Sequence, residues 1–280
     1  MISDPEQVPP GVDSTRPSPA RLYDYYLGGT NNFEVDRMAA EQIRQQLPEL
    51  ADAAWANRGF HGRAAAWMAT EHGIDQFIDI GSGLPTQNNT HEVVRKLLPG
   101  ARVAYVDIDP MVAAHGAELL AGDGSSAVIT ADLRDPATVL ADPELHRLID
   151  LSKPVGVLMT AVIHFVEDEA DPWGVVTQYM KAVVPGSFLA LSHVTYERLP
   201  PQAVQTGQDV YARATNDIHL RSHAEVERFF TGLELVPPYR DGQPGLCYVG
   251  SWGADDPGQA DSDGSRVFYC GVARRPASMS

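Results

Sequence analysis

From residue 21 onward the apolar positions recur at helical spacing. The stretch Arg21-Leu22-Tyr23-Asp24-Tyr25-Tyr26-Leu27 predicts a short helix closed by Gly28-Gly29, because glycine tolerates the left-handed conformation of a helix C-cap. Two more helical patterns follow, over 34–47, ending before Pro48, and over about 51–71, ending at Gly73. The period then shortens. Phe77-Ile78-Asp79-Ile80 is an apolar run broken by Gly81-Ser82-Gly83, as expected of a buried strand and its turn. Further strands are predicted at 102–106, 127–130, 155–159 and 187–194. Between them lie helical stretches at 89–98, 111–120, 136–140, 143–149 and 172–183. Strands alternating with helices imply a parallel sheet covered on both faces.

The last third breaks that rhythm. Helices are predicted at 202–214 and 223–231, then two strands, 246–252 and 267–272, with only an acidic, glycine-bearing connection between them. Strands joined that way are expected to be antiparallel neighbours. The predicted fold is therefore α/β. A mostly parallel sheet of about seven strands, with an antiparallel pair at one edge, carries an N-terminal helical section. The divisions expected are a mobile arm at 1–18, rich in Pro, Ser and Asp, a helical section or lid at 19–75, and the sheet domain at 76–280.

Composition narrows the partners. Lys plus Arg number 21 against 37 Asp plus Glu, a net charge of −16. That balance disfavours a nucleic-acid backbone or an anionic membrane surface, both of which want a positive face. Two cysteines, Cys247 and Cys270, make neither a disulfide framework nor a CxxC zinc site. The start of the chain has no basic stretch followed by an apolar core, and no apolar run is long enough for a bilayer. The expectation is a cytoplasmic protein acting on a small molecule, without a metal.

The chemistry concentrates where strands end. Asp79-Ile80-Gly81-Ser82-Gly83-Leu84-Pro85-Thr86 follows the first strand and precedes a helix, where open α/β sheets bind ligands. A dinucleotide site wants G-x-G-x-x-G, but Thr86 stands at the third glycine and Pro85 intrudes. A carboxylate at Asp79 would repel a pyrophosphate and would suit the ammonium of S-adenosylmethionine. Asp107 closes the second strand, 24 residues past Gly83, placed to accept from both ribose hydroxyls; Ile108 follows it. Asp132-Leu133 closes the third, the acid for an adenine amino group and the leucine for its ring. Each feature alone has a plainer reading, as a tight turn, a helix cap or a solvated acid. The ordered set of three acids is more specific.

These residues resemble class I S-adenosylmethionine-dependent methyltransferases, over 76–273. A closer resemblance adds the segments 21–33, 77–87 and 131–136. It is to an actinobacterial methyltransferase family formerly catalogued as a domain of unknown function, and runs nearly end to end. It implies a Rossmann-like fold and S-adenosylmethionine as cofactor, and names no acceptor.

Methyl transfer to O, N or S is an in-line displacement in which positioning and desolvation do much of the work. The turn after the fourth strand, Thr160-Ala161-Val162-Ile163-His164-Phe165, lacks the Asn/Asp-Pro-Pro-aromatic motif of amino-methylating enzymes that act on bases or on glutamine. His164 and His193 are the candidate bases, each with a structural reading beside it. Thr86 and Gln87, at a helix start, could bind a methionine carboxylate. Tyr23, the Gly28-Gly29 turn and Asn31 are expected near the methionine end as part of a lid, or else simply pack the helices onto the sheet. Two other functions stay open at this stage: a sensor that binds the cofactor without turnover, and a nicotinamide-dependent oxidoreductase.

Overall fold

The computed structural model describes residues 8–85 and 88–278. Three helices come first: α1 (Pro19–Tyr26), α2 (Glu34–Arg44) and α3 (Leu50–His72). The sheet strands are β1 (Gln76–Ile80), β2 (Arg102–Asp107), β3 (Ser126–Thr130), β4 (Gly156–Thr160), β5 (Phe188–Val194), β6 (Glu234–Leu235), β7 (Cys247–Tyr248) and β8 (Phe268–Arg274). The connecting helices are α4 (Thr90–Arg95), α5 (Pro110–Leu119), α6 (Pro136–Ala141), α7 (Pro143–Leu148), α8 (Pro172–Ala182), α9 (Pro201–Tyr211), α10 (His223–Glu227) and α11 (Pro257–Ala260).

The strand order is β3-β2-β1-β4-β5-β8-β6, with β7 also on β8. β1 to β5 run parallel, and β8 pairs antiparallel with β5, β6 and β7. The chain winds outward in one direction from β1 to β3 and in the other from β4. The carboxyl ends of β1 and β4 thus flank the switch point where such sheets hold ligands.

Alternation along the strands builds two cores. Ile78, Ile80, Val106, Val157, Met159, Leu189 and Leu191 face one side, where α7 and α8 pack with Leu145, Leu148, Val176 and Met180. Phe77, Val103, Leu158, Phe188 and Ala190 face the other, against Phe60, Ala64, Ala65 and Met68 of α3. Helix α3 is alanine-rich on that face, so it can lie close to the sheet. It ends at Gly73 with φ +65, the left-handed cap expected of glycine.

The fold class is the one expected, with eight strands rather than about seven. The apolar run 246–252 differs from its expectation. Only Cys247 and Tyr248 pair, opposite Cys270 and Tyr269, and the long antiparallel partner of β8 is β5. Arg63 of α3 explains why. Its Nε donates to Trp252 O at 2.7 Å and its Nη2 to Val249 O at 2.7 Å. These residues form a turn around a half-buried guanidinium instead of continuing a ladder. The two cysteine sulfurs lie 3.9 Å apart across the short pair.

Residues 8–18 were expected to belong to a mobile arm. In the structure, residues 13–18 are tied down by polar contacts that composition does not reveal. Arg21 Nη2 donates to Asp13 O and Arg16 O, Thr215 N–H to Pro17 O, and Ser18 N–H to Asp36 Oδ1 at 2.9 Å. Asp36 also holds Arg21 Nε at 2.8 Å, an ion pair with both side chains almost fully enclosed. Among the described residues no helix is long and apolar enough to cross a membrane.

Candidate functional site

A cavity of about 470 Å³ opens at the carboxyl ends of β1, β2 and β4. One end is made by turns of the sheet and the other by helices.

At the sheet end, Gly81 has φ +68 and a Cβ there would overlap the Val162 side chain. Glycine is therefore demanded twice, by conformation and by the approach of the β4 turn. Gly83, at φ +65, donates its N–H to Asp107 Oδ2 at 2.8 Å, and Asp109 N–H reaches Asp107 Oδ1 at 2.9 Å. One lone pair on each oxygen stays open, a geometry suited to two neighbouring ribose hydroxyls. Burial pushes the Asp107 carboxyl up to about 6, against the pull of those two amides. Ile108, unusually exposed for its type, lines the same cavity with Leu133. Asp132 also lines it, and Arg134 already grips both carboxylate oxygens, at 2.6–3.0 Å. Burial would raise the Asp132 pKa, but the Arg134 contacts hold it below the usual carboxylate value. An adenine amino group would compete with Arg134 there.

Asp79 sits one layer deeper. It is buried, and burial lifts its carboxyl to about 6. Its Oδ2 accepts from the Thr90 hydroxyl at 2.6 Å. With that proton committed, His61 Nε2–H must donate to Thr90 Oγ1, at 2.7 Å, and the Thr160 hydroxyl must donate to His61 Nδ1, at 2.9 Å. The relay ties the end of β4 to the end of β1 through α3 and α4. His61 stays neutral, its pKa driven to about 3 by burial. Sequence reasoning missed His61. The available signal was two polar residues, Asn57 and His61, one helical turn apart on the alanine-rich face of α3.

At the helical end, Tyr23 lines the cavity with both hydroxyl functions used. It donates to Ala54 O at 3.1 Å and accepts from Asn57 Nδ2 at 2.8 Å. Asn57 Oδ1 accepts from Ser192, whose oxygen in turn accepts from Ala161 N–H. Ala161 itself is held at φ +54, rare for alanine. Gly29 and Asn31 lie elsewhere, in a smaller recess with Asp24 and Trp55. A Cβ on Gly29 would overlap the Asp24 carboxylate, and Asn31 N–H donates to that carboxylate at 2.9 Å. They shape the α1–α2 turn rather than the main cavity wall.

The two histidines part company. His164 lines the cavity. His193 does not face it. Its Nδ1–H donates to Val194 O at 2.7 Å, and its Nε2 accepts from buried Arg221 at 2.8 Å. Burial, with Arg221 second, drives its pKa to about 3. With no free nitrogen it cannot serve as a base. Strand β5 is buried on both faces, so alternation could not tell which side His193 takes. Thr86 and Gln87 lie outside the described residues. Among the described residues no cluster of His, Cys, Asp or Glu could hold a metal.

Known proteins resemble this chain over nearly its whole length. A family model described as S-adenosyl methyltransferase matches residues 5–276. A crystal structure from Thermobifida fusca YX, described as a presumed methyltransferase, is 39% identical with a TM-score of 0.88, covering 97% of this chain and 99% of that one. A DUF574 family protein from Streptomyces avermitilis MA-4680 is also 39% identical, TM-score 0.87, covering 94% and 99%. An O-methyltransferase family protein from Burkholderia thailandensis shares the fold at 12% identity, TM-score 0.51, covering 87% and 60%. No curated protein matches.

Proposed function

Since the chain belongs to the S-adenosyl methyltransferase family and is a S-adenosylmethionine-dependent methyltransferase, we propose that its acceptor is a small molecule bound in the helical end of the cavity. The carrying observation is that one enclosed space has two differently built ends. The sheet end offers backbone turns and acids, and the helical end offers apolar and aromatic side chains.

The residues at the sheet end fit the cofactor. Asp107 would hold the ribose diol, Ile108 and Leu133 would pack on the adenine, and Asp132 would reach its amino group by releasing Arg134. Gly81 and Gly83 let the backbone come close. Asp79, ionised, provides negative charge for the ammonium, and Thr160 faces the same space from the end of β4. Thr86 and Gln87 remain candidates for the methionine carboxylate. When bound, S-adenosylmethionine supplies an electrophilic methyl group on a sulfonium. Residues 19–75 act as a cover, since α1 and α3 bring Tyr23, Asn57 and His61 over the cavity. Exclusion of water there favours displacement at a charged centre. The net charge of −16 supports a small molecule over nucleic acid.

Thermal unfolding with S-adenosylmethionine, S-adenosylhomocysteine, NAD and NADP tests the cofactor end. A ligand at about 100 times its Kd stabilises by about 2.7 kcal/mol and moves Tm by a few degrees. Shifts from the two adenosyl compounds alone are expected, and a shift from NAD or NADP instead would overturn the assignment.

A further inference from the structure

We infer that the acceptor is a ring-bearing hydroxyl compound of the phenol type, methylated on oxygen as its anion, with His164 and Tyr211 donating hydrogen bonds to it. This inference rests on the function proposed above and specifies its substrate class.

The shape of the helical end is the first support. Its walls include Tyr26, Leu47, Leu50, Phe165 and Phe268. His164, Phe165 and Tyr211 stand in a row, with ring centroids 4.4 Å apart from His164 to Phe165 and 5.6 Å from Phe165 to Tyr211. The rings are tilted to one another, by 64° and 44°, and aromatic faces and edges around an apolar space suit an aromatic guest.

Polar satisfaction is the second. The acids lining the cavity already accept hydrogen bonds: Asp13 from Thr15, Asp79 from Thr90, Asp107 from two amides, Asp109 from Ser18 and Met111, Asp132 from Arg134. His61 and the Tyr23 hydroxyl are fully engaged. His164 Nε2 and the hydroxyls of Tyr211 and Tyr26 have no hydrogen-bond partner among the described residues, although all three side chains line the cavity. His164 Nδ1 accepts from Val194 N–H at 3.5 Å, a long contact that leaves the ring proton on Nε2. The imidazole therefore presents a donor to the cavity and cannot take a proton from the acceptor. Tyr211 is also a donor, since burial raises its pKa.

Charge is the third. The titratable groups around His164 are His193, His219 and Arg221, and the first cause of its strongly lowered pKa is burial, then these neighbours. Buried Arg221 is cationic, and its partner Asp168 lies out toward solvent. A neutral donor backed by a cation stabilises an anionic oxygen. With His164 acting as a donor, the acceptor ionises before transfer, releasing its proton to solvent. The oxygen lone pair then forms the bond to the methyl carbon as the carbon–sulfur bond breaks. That bond's electron pair stays on sulfur, giving an aryl methyl ether and S-adenosylhomocysteine.

The test uses the full chain saturated with S-adenosylhomocysteine and titrated with 4-nitrophenol, whose phenolate is coloured. Bound 4-nitrophenol is expected to ionise about one pH unit below its solution value, a tenfold preference for the anion. His164→Leu should abolish most of that shift, and His164→Gln, which keeps an N–H near the same place, should retain it. Tyr211→Phe should weaken binding about fivefold. None of the three should change affinity for S-adenosylhomocysteine. Binding of 4-nitrophenol in its neutral form, no binding by the loaded protein, or a shift unchanged in His164→Leu would each overturn the inference. Failure of S-adenosylhomocysteine to bind would instead remove the functional reading beneath it.

Discussion

The two ends of the cavity are built on different physical plans. The sheet end is local. Gly81, Gly83, Asp107 and Ile108 belong to two consecutive strand ends, and backbone N–H groups do the positioning. The helical end is assembled from afar. Tyr23 meets Ala54 and Asn57, Asn57 meets Ser192, and His61 meets Thr160, across 31 to 135 residues of chain. A site made of turns tolerates changes elsewhere in the fold. A site made by docking helices depends on whatever fixes those helices.

The largest expected effect therefore falls on the fastening of the helical end. Asp36 is buried and receives Arg21 Nε, Ser18 N–H and Phe33 N–H. Asp36→Ala strands the Arg21 charge in the interior and should cost about 3–5 kcal/mol of stability by denaturant unfolding. Asp132→Ala, which breaks the partly exposed pair with Arg134 at the sheet end, should cost no more than about 1 kcal/mol. Equal losses in the two variants would erase the distinction.

The next effect concerns a charge that works against the fold. Burial raises the Asp79 carboxyl to about 6, from about 3.9 in an unfolded chain. The unfolded state then gives up its proton first as pH rises. Asp79 should make the protein less stable as pH climbs through that window, by about 3 kcal/mol once both states are ionised. Asp79→Asn keeps an acceptor for Thr90 and should raise the Tm of the ligand-free protein at pH 7. It should also flatten this part of the pH profile and weaken S-adenosylmethionine binding. An unchanged pH profile would show that Asp79 is solvated more than its surroundings indicate.

Asp107 sharpens the contrast from the other side. Asp107→Ala should weaken S-adenosylmethionine binding by about 1.5–3 kcal/mol, measured calorimetrically, from the loss of hydrogen bonds to a charged group. Full-strength binding by the folded variant would sink the placement of the ribose.

How much could be read from the chain follows the same division. The glycine turn, the acids closing β1, β2 and β3, and most of the parallel strands were legible because period, turn chemistry and spacing are local properties. His61 was not, because its meaning lies in Thr90 and Thr160, which only folding brings near. His193 was misplaced because a strand buried on both sides carries no face signal. The run 246–252 read as a strand because it is largely apolar, but Arg63 claims its carbonyls. Gly29 and Asn31, expected near the methionine end, stand in a separate recess beside Asp24, a placement that local spacing does not show.

The smallest effect decides what Tyr23 contributes. If its hydroxyl serves only the wall, through Ala54 and Asn57, then Tyr23→Phe loses one donor and one acceptor. Stability should fall by about 1 kcal/mol, with S-adenosylmethionine affinity unchanged within about twofold. Asn57 would turn its freed N–H toward the cavity, so the ring can stay in place. Tyr23→Ala removes the ring as well and opens the wall to water. It should lower methyl transfer more than cofactor affinity, because the acceptor end loses its dryness while Asp107 and the glycine turn are untouched. Equal loss of cofactor affinity in Tyr23→Phe and Tyr23→Ala would mean that the hydroxyl itself touches the cofactor. The helical end would then be part of the cofactor site rather than its cover.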